Sequence, residues 1–598
     1  MYHSKKNIMK NIKLIVAILA ITFTVSCSDN FLNEPPLDRI TENDVWSDKN
    51  LMDAYLFKIY DRMPWDYLES FWDVGGSQRD ALSDLARGTY SWTVLNNNYR
   101  PGIWGTANNT WPLDWWGYDV LWKINYSIEN IDQAPASVLT IEERNQRLGE
   151  LYFLRAYSYF ELAKRYGGVP IILEAQNPDV TPQEELFPPR NTEKEVYEQV
   201  LTDTQAAFDL LPNRWSDQRG RAPKWAAKAL ESRAALYAAS IAKYGTVQLN
   251  GLVGIPATDA DGYYQMSLAA SQKIINEGGY ELFNNYPDPS DNYANLFLDE
   301  TYDETIFKKI WIPFEKGHSY DLHNVPYSYR VDWGASMSPT KQLLDSYEML
   351  DTGLLPSEPG SGYDENNPFE NRDPRMKGTL LTNNDIFQGL PVELWYGTET
   401  GGEIDTDRGT GVGKDGLGIH PDATKTGFYV RKHLEDGGSP LFIKEFYSGT
   451  DGIIFRLGEM YINAAEAAIE LNMEGAARDF IEPIRTRAGL QQNLRLESYS
   501  GTDLRDRIRN ERKLEMAFED HRYWDVRRWR IATEALSIQV EGLRILRRVD
   551  GFGNATFSYE TFDAEAEKMN FFERHYYLPI GQDRRNNNDK LIENPGYD

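Results

Sequence analysis

Paired helical periodicity is the feature that most constrains the fold of this 598-residue chain. Apolar residues recur at i, i+3 and i+4 spacing in consecutive segments joined by short polar connections, which predicts amphipathic helices packed as hairpins. The predicted pairs are 118–131 with 141–166, 192–211 with 222–244, and 454–471 with 475–488, while 504–518 leads into a tryptophan-rich segment. Alanine-rich stretches in these helices would permit close approach, as stacked helical repeats require. We therefore predict a predominantly α fold, with a tetratricopeptide-like scaffold of four helix pairs.

The middle of the chain has a different composition. Residues 245–452 are rich in Gly, Pro, Asn and Asp and contain only short apolar runs. This predicts an irregular, loop-rich lobe with a few short strands, laid against the helices. We treat 46–598 as one domain, with the helical scaffold at about 46–244 and 453–535. Because binding residues are often carried by loops on a rigid support, we expect the lobe to bind the ligand.

The N-terminus has the pattern of an export signal. Four lysines precede an apolar run at 14–25. At 12 residues, this run is too short to span a bilayer. Cys27 follows directly and is the only cysteine, so it cannot contribute to a disulfide framework. The pattern resembles a bacterial lipoprotein signal, with 1–26 removed, Cys27 carrying the lipid anchor and 27–45 forming a tether. The alternative is ordinary cleavage that leaves Cys27 as an unpaired thiol.

Charge and composition exclude some partners and favour others. The formal net charge is −28, and a strongly acidic surface repels nucleic acid and anionic lipid. Aromatic residues make up 13% of the chain, which is more than a core needs. Exposed aromatic side chains commonly form ligand or partner surfaces.

Motifs of catalysis are not found in the sequence. The dinucleotide-like run GVGKDG at 411–416 follows TDRGT, where a buried strand would be required, so we predict a loop. The seven histidines do not take metal-ligand spacing, and no Walker, G-x-S-x-G or H-E-x-x-H motif occurs. We predict no catalytic residue, no cofactor and no bound metal.

The charged segment at 511–530 has a structural interpretation. On one continuous helix, Glu519 with Arg522 and Asp525 with Arg528 fall at i, i+3 spacing and would form ion pairs. The intervening aromatic residues would be buried. We therefore expect this segment to organise packing and not to carry a reaction.

Aromatic residues interleaved with amides and arginines are concentrated between residues 90 and 122. A sugar ring has an apolar C–H face and a rim of hydroxyl groups, so a sugar site combines flat aromatic surfaces with amide or guanidinium groups. A second such patch lies at 320–333. The predicted ligand-binding residues are Trp92, Asn96, Arg100, Trp104, Asn109, Trp111, Tyr327, Arg330 and Trp333. The alternative for the tryptophans of the first segment is burial in the core.

Several longer segments resemble the SusD/RagB family, the surface lipoproteins that serve outer-membrane nutrient importers. The resemblance is carried, in order, by GELYFLRAYSYFELAKRYGGVPII (149–172), GRAPKWAAKALESRAALYAAS (220–240), NRDPRMKGTLL (371–381), FRLGEMYINAAEA (455–467), IRTRAGL (484–490), ERKLEMAFEDHRYWDVRRWR (511–530), YLPI (577–580) and the terminal LIENPGYD. It implies a tetratricopeptide-containing domain that binds oligosaccharide, or peptide in the RagB-like branch. It also implies a partner, a TonB-dependent β-barrel transporter resembling SusC, over which the lipoprotein sits as a lid.

These observations together favour a non-catalytic lipoprotein on the outer face of the outer membrane, which captures an oligosaccharide and delivers it to a SusC-like transporter. Three alternatives remain open: a peptide-binding lipoprotein of the RagB-like branch, a lipid-anchored glycan hydrolase, and a lid of the transporter without ligand affinity. The density of tryptophan favours sugar over peptide, because peptide termini and backbone require charged or amide partners more than flat stacking surfaces.

Overall fold

The computed structural model describes residues 42–65, 68, 79–105, 113–216, 220–301, 303–437 and 443–597. The signal peptide, Cys27 and most of the tether lie outside these ranges. Within them, no helix is both long and apolar enough to cross a membrane. The prediction of a predominantly helical chain with small sheets is confirmed; the tetratricopeptide-like arrangement stays a prediction.

The α-helices of the described residues are α1 (Glu42–Ser47), α2 (Lys49–Asp61), α3 (Tyr118–Asn130), α4 (Ile141–Tyr166), α5 (Gln183–Leu186), α6 (Glu193–Leu210), α7 (Lys224–Tyr244), α8 (Ala260–Glu277), α9 (Pro289–Asn295), α10 (Tyr320–Asn324), α11 (Lys341–Leu344), α12 (Arg375–Thr379), α13 (Leu457–Glu470), α14 (Glu474–Arg487), α15 (Gly501–Glu515), α16 (Arg522–Arg528), α17 (Ala532–Ala535) and α18 (Gln582–Asn587). The strands are β1 (Ala86–Gly88), β2 (Thr305–Lys309), β3 (Met337–Pro339), β4 (Leu380–Leu381), β5 (Ile386–Phe387), β6 (Leu390–Pro391), β7 (Gly397–Thr400), β8 (Glu403–Asp405), β9 (Tyr429–Val430), β10 (Gly452–Arg456), β11 (Glu541–Val549) and β12 (Ala555–Asp563).

Local signals account for the ends of the long helices. Helix α4 begins with a capping box, in which the Thr140 hydroxyl accepts from the Glu143 amide and the Glu143 carboxylate accepts from the Thr140 amide. This arrangement satisfies two N–H groups that have no partner within the helix. The same helix ends at Gly167, whose φ of 75° lies in the left-handed region that glycine adopts without strain.

The scaffold helices pack in chain order, α4 on α6, α6 on α7, α7 on α8 and α8 on α13. Helix α8 lies inside the range 245–452 that we predicted to be irregular, so the helical scaffold extends further than expected. It packs because Tyr264, Leu268 and Ile274 are buried on one face. Its polar start and its content of Ser, Gln and Asn concealed that face in the sequence.

Buried ion pairs connect the lobe to the last helices. Arg456, at the end of β10, lies 2.8 Å from carboxylate oxygens of Glu304, Glu515 and Glu519. The predicted pair of Asp525 and Arg528 is confirmed, at 2.9 Å. The predicted pair of Glu519 with Arg522 is wrong, because α15 ends before Glu519 and α16 begins only at Arg522, so the two residues do not share a helix.

A four-stranded sheet, in the order β12-β11-β7-β8, joins the C-terminal region to the lobe. Strands β11 and β12 form an antiparallel hairpin over Glu541 to Asp563, and β11 pairs in parallel with β7. We had assigned no strands to this part of the chain. The sheet shows that the lobe is completed by residues that follow the last scaffold helix.

Candidate functional site

A short pair of strands brings together two loops that are far apart in the sequence. Strands β1 and β3 are antiparallel, with Ala86 opposite Pro339 and Gly88 opposite Met337. The pairing continues beyond the strands, since the Thr89 amide donates to the Ser336 carbonyl at 2.9 Å. The loop that follows β1 and the loop that precedes β3 therefore lie side by side.

Three aromatic side chains meet where these loops touch. The rings of Trp92 and Trp333 are 6.1 Å apart in an edge-to-face arrangement, and Tyr90 lies 5.2 Å from Trp333, also edge-to-face. The Tyr90 hydroxyl donates to the Gly334 carbonyl at 2.7 Å, which fixes one loop on the other. Burial raises the pKa of Tyr90, so this hydroxyl remains a donor at neutral pH. Trp92 itself is 49% exposed, so much of its indole surface faces solvent.

A second group of side chains extends this surface. The rings of Tyr327 and His420 stack with centroids 5.1 Å apart, and the guanidinium of Arg330 lies 4.4 Å from the Tyr327 ring centroid. Asp422 lies 3.6 Å from Arg330 Nη1 and 3.4 Å from His420 Nδ1. We call the set Tyr90, Trp92, Tyr327, Arg330, Trp333, His420 and Asp422 the aromatic patch. It presents stacking rings beside a cation, an anion and an imidazole.

A buried carboxylate holds the Tyr327 loop in place. Asp415 accepts from the Ser328 amide at 2.8 Å and from the Glu393 amide at 3.3 Å. Burial raises the pKa of Asp415. Asp415 belongs to the run 411–416, which is a loop as predicted. This loop holds the backbone next to Tyr327 through the Ser328 amide. The chain thus uses its glycine-rich segment to position an aromatic side chain.

Two of the predicted ligand-binding residues are part of the core, and these predictions are wrong. Trp104 is 3% exposed because it stacks on His575 at 4.1 Å and packs beside Tyr99. Arg100 is also 3% exposed, because it forms an ion pair with Glu565 at 2.8 Å and donates to backbone carbonyls. Neither side chain presents a surface to a ligand.

Asn96 has a structural contact that sequence reasoning did not foresee. Its amide donates to the Gly88 carbonyl at 2.9 Å and to the Tyr90 carbonyl at 2.8 Å. These bonds hold the loop beneath Trp92, so Asn96 positions the patch from within. Asn109 and Trp111 lie outside the described residues. The aromatic patch therefore unites four of the nine predicted residues, namely Trp92, Tyr327, Arg330 and Trp333.

The sequence analysis missed His420, Asp422 and Tyr90 as members of the patch. The spacing of the histidines argues only against a metal site and does not indicate a role for His420. The position of His420 in a Gly- and Pro-containing loop is the sequence signal that could have identified it. In the part of the chain that the structure describes, no group of three or more His, Cys, Asp or Glu side chains is arranged to hold a metal ion.

The arrangement suits binding of a polar ring with an apolar face. Indole and phenol rings supply stacking surfaces, while Arg330 and Asp422 supply a donor and an acceptor at the rim. The ring of His323 lies 6.0 Å from Trp333, and burial lowers the pKa of His323 to about 4, so it stays neutral behind the patch. Packed helices whose loops present an exposed aromatic surface are typical of a ligand-binding protein.

Comparison with known proteins assigns the family. A sequence model of the SusD family matches residues 303–597, and a second model, described as starch-binding associating with outer membrane, matches residues 30–236. A SusD-like protein from Bacteroides ovatus is 22% identical over 535 residues, which cover 87% of this chain and 83% of that protein. The chain belongs to the SusD/RagB family.

Solved structures share the fold over nearly the whole chain. A SusD-like protein from Bacteroides fragilis is 25% identical, with a TM-score of 0.70, and the match covers 94% of this chain and 100% of that one. A SusD-like carbohydrate binding protein from Bacteroides fragilis is 22% identical, with a TM-score of 0.67, over 92% of this chain and 99% of that one.

Proposed function

We propose that this protein is a non-catalytic lipoprotein of the cell surface that binds oligosaccharide at the aromatic patch and delivers it to a SusC-like TonB-dependent transporter. The observation that carries the proposal is the convergence of Trp92, Trp333, Tyr327 and Arg330 on one surface. Family membership and a structural neighbour that is described as a carbohydrate binding protein support the same ligand class.

The chemistry of the patch favours sugar over peptide. Trp92 and Tyr327 offer flat surfaces to the C–H face of a sugar, and a bound hydroxyl would find a donor in Arg330 and an acceptor in Asp422. Modest affinity suits a carrier, because the ligand has to be passed on. Delivery to the transporter rests on family resemblance.

Affinity electrophoresis tests the ligand class. The full-length chain is run through gels that contain starch, laminarin or other neutral glucans, and we expect at least one to retard it. Replacing Trp92 and Trp333 together with Ala removes the stacking surface and should abolish retardation. Phe552→Ala is the matched control, because Phe552 is 94% exposed on the β11–β12 hairpin and belongs to no part of the patch. Unchanged migration of the double variant would show that the aromatic patch does not bind the glycan.

Three further measurements separate the alternatives. A lipid-anchored hydrolase would release reducing ends when the pure protein is incubated with the retarding polysaccharide, whereas a binding protein would not. A peptide-binding protein would show calorimetric binding to mixed peptides that the Trp92 and Trp333 replacements weaken. A lid without ligand affinity would bind neither class and would still copurify with its transporter.

Anchoring through Cys27 is the remaining part of the proposal. Several acyl chains on one cysteine suffice for stable membrane attachment, since each buried methylene contributes about 0.8 kcal/mol. Cys27→Ala should therefore move the protein from the outer-membrane fraction to the soluble fraction and abolish incorporation of labelled palmitate. Retention of the variant in the membrane without labelling would show that another contact holds it there.

A further inference from the structure

Three neighbouring arginines have no acidic partner in ion-pair range. Among the described residues, no carboxylate oxygen lies within 4.0 Å of a side-chain nitrogen of Arg527, Arg530 or Arg574. Most buried arginines of this protein are paired, as Arg456 is with three glutamates. Three neighbouring arginines without a direct carboxylate partner are therefore unusual in a chain whose net charge is −28, although Glu193 acts on Arg530 electrostatically from behind Tyr577.

Arg527 is the most unsatisfied of the three. It is 3% exposed, and its Nη2 donates to the Tyr576 carbonyl at 2.6 Å, but Nε and Nη1 have no hydrogen-bond acceptor. Of the arginines that the structure describes, it alone has two buried nitrogens in this condition. Burial lowers the pKa of its guanidinium. An arginine nevertheless keeps its charge, so the field of Arg527 favours a nearby anion.

Arg530 and Arg574 line an open cleft of about 270 Å³ beside Arg527. Arg530 is held between two rings, 4.7 Å from the Tyr576 centroid and 4.8 Å from that of Tyr577. Its Nη2 donates to the Tyr577 hydroxyl at 2.5 Å and its Nη1 to the Arg527 carbonyl at 3.3 Å. A guanidinium has five N–H donors, so three of Arg530 remain for an acceptor in the cleft.

The backbone of Arg530 has a strained conformation that determines where its side chain lies. Its φ of 57° lies in the left-handed region, which is strained for a residue with a Cβ. The turn that follows α16 thereby directs the side chain between Tyr576 and Tyr577. Two acids adjoin the cleft: Glu573 lines its exposed rim, and Glu193 accepts from the Tyr577 hydroxyl at 2.7 Å. Neither reaches an arginine within ion-pair distance.

The remaining walls are polar and include aromatic rings. Thr246 and Gln248 form part of the lining, opposite Tyr576 and Tyr577. The cleft is open to solvent and has room for a ligand of the size of one sugar residue. The cleft shares no residue with the aromatic patch.

We propose that the cleft beside Arg530 and Arg574 is a second binding site, which takes a single saccharide unit that carries an oxyanion, either the carboxylate of a uronic acid or a sulfate ester. The two arginines bind the oxyanion, Arg527 adds positive charge behind it, and the tyrosines, Thr246 and Gln248 contact the sugar. The site goes beyond the proposed function, because it selects an acidic sugar at a place separate from the aromatic patch.

Calorimetric titration of the full-length chain tests this site with four probes: D-galacturonate, galactose 6-sulfate, inorganic sulfate and neutral D-galactose. We expect the two acidic sugars to bind, and galactose to bind at least tenfold more weakly. The double variant Arg530→Gln, Arg574→Gln should lose at least tenfold in affinity. The pair of substitutions Arg544→Gln, Arg548→Gln, which removes two exposed arginines of β11, is the charge-matched control and should behave as wild type.

The outcomes distinguish this site from the aromatic patch and from a purely inorganic site. Binding of sulfate without either acidic sugar would overturn the saccharide assignment, and equal binding of galactose or unchanged affinity of the double variant would overturn the site itself. Replacing Trp92 and Trp333 with Ala should leave galacturonate binding intact. If the double variant does not fold, wild-type crystals soaked in galacturonate decide the question, because the carboxylate must then lie within hydrogen-bond distance of Arg530 and Arg574.

Discussion

Replacing Trp92 with Ala should weaken sugar binding about tenfold while leaving the fold nearly intact. A tryptophan side chain has about 250 Å² of surface, and Trp92 is 49% exposed, so about 120 Å² of indole is open to a ligand. A sugar stacked on one face covers roughly half of this area, and about 60 Å² at about 25 cal/mol per Å² gives about 1.5 kcal/mol. That energy corresponds to a factor of about ten in Kd. Loss of the buried half of the side chain, including the edge contact with Trp333, would lower stability by at most about 3 kcal/mol by the same coefficient.

The same substitution at Trp104 should mainly lower stability, whereas at Trp92 it should mainly weaken binding. It is 3% exposed and stacks on His575, so Trp104→Ala should lower the free energy of unfolding by about 3–5 kcal/mol. Calorimetry with the retarding glycan and urea denaturation of both variants measure the two effects separately. If Trp92→Ala bound the glycan as tightly as wild type, or if Trp104→Ala kept wild-type stability, the use of exposure to separate binding residues from core residues would be refuted.

Three further perturbations test the supports of the fold and the site. Arg375→Met leaves buried carboxylates short of a partner and should lower the free energy of unfolding by about 3–5 kcal/mol in urea. The control Arg495→Gln, whose ion pairs lie at the surface, should leave the free energy of unfolding nearly unchanged. Burial, and then the neighbouring Asp520 carboxylate, raises the pKa of Asp80 from 3.8 to about 7 in the folded state. The folded state therefore binds more protons than the unfolded state, and stability falls as the pH rises from about 4 to about 7. Asp80→Asn should gain up to about 4 kcal/mol relative to wild type across this range in pH-dependent unfolding. Asp415→Ala frees the loop that carries Tyr327 and should weaken glycan binding severalfold in calorimetry without removing any surface of the patch.

The helices could be predicted because their signals are local. The capping box at Thr140 and the glycine stop at Gly167 act within a few residues, and the apolar spacing of α4 and α7 lies within each segment. Helix α8 was missed because polar residues dilute its apolar face. The pairing of Glu519 with Arg522 was wrong because α15 ends at Glu515, and Phe518 and Asp520, which both have φ of 60°, interrupt the helical path on either side of Glu519.

The site could be predicted only in part, because it depends on contacts that are distant in the sequence. Trp92 and Trp104 lie in similar surroundings of Asn and Gly, but Trp104 is placed in the core by contacts with Tyr99, His575 and Tyr597. Trp92 meets Trp333 through strands of three residues each, which are too short to give a periodic signal. His420 comes from a third segment altogether. Composition therefore indicated an aromatic and polar surface. Which residues form that surface depends on the tertiary contacts between distant loops.

The β1–β3 pair has an evolutionary consequence. Tyr90 and Trp92 belong to the part of the chain matched by one family model, and the residues from Tyr327 to Asp422 belong to the part matched by the other. Each part contributes one half of the surface, and three rungs of backbone pairing set their separation. Because Tyr90 and Trp92 pack directly on Trp333, a substitution in either half also changes what the other half packs against, and the two halves have to vary together.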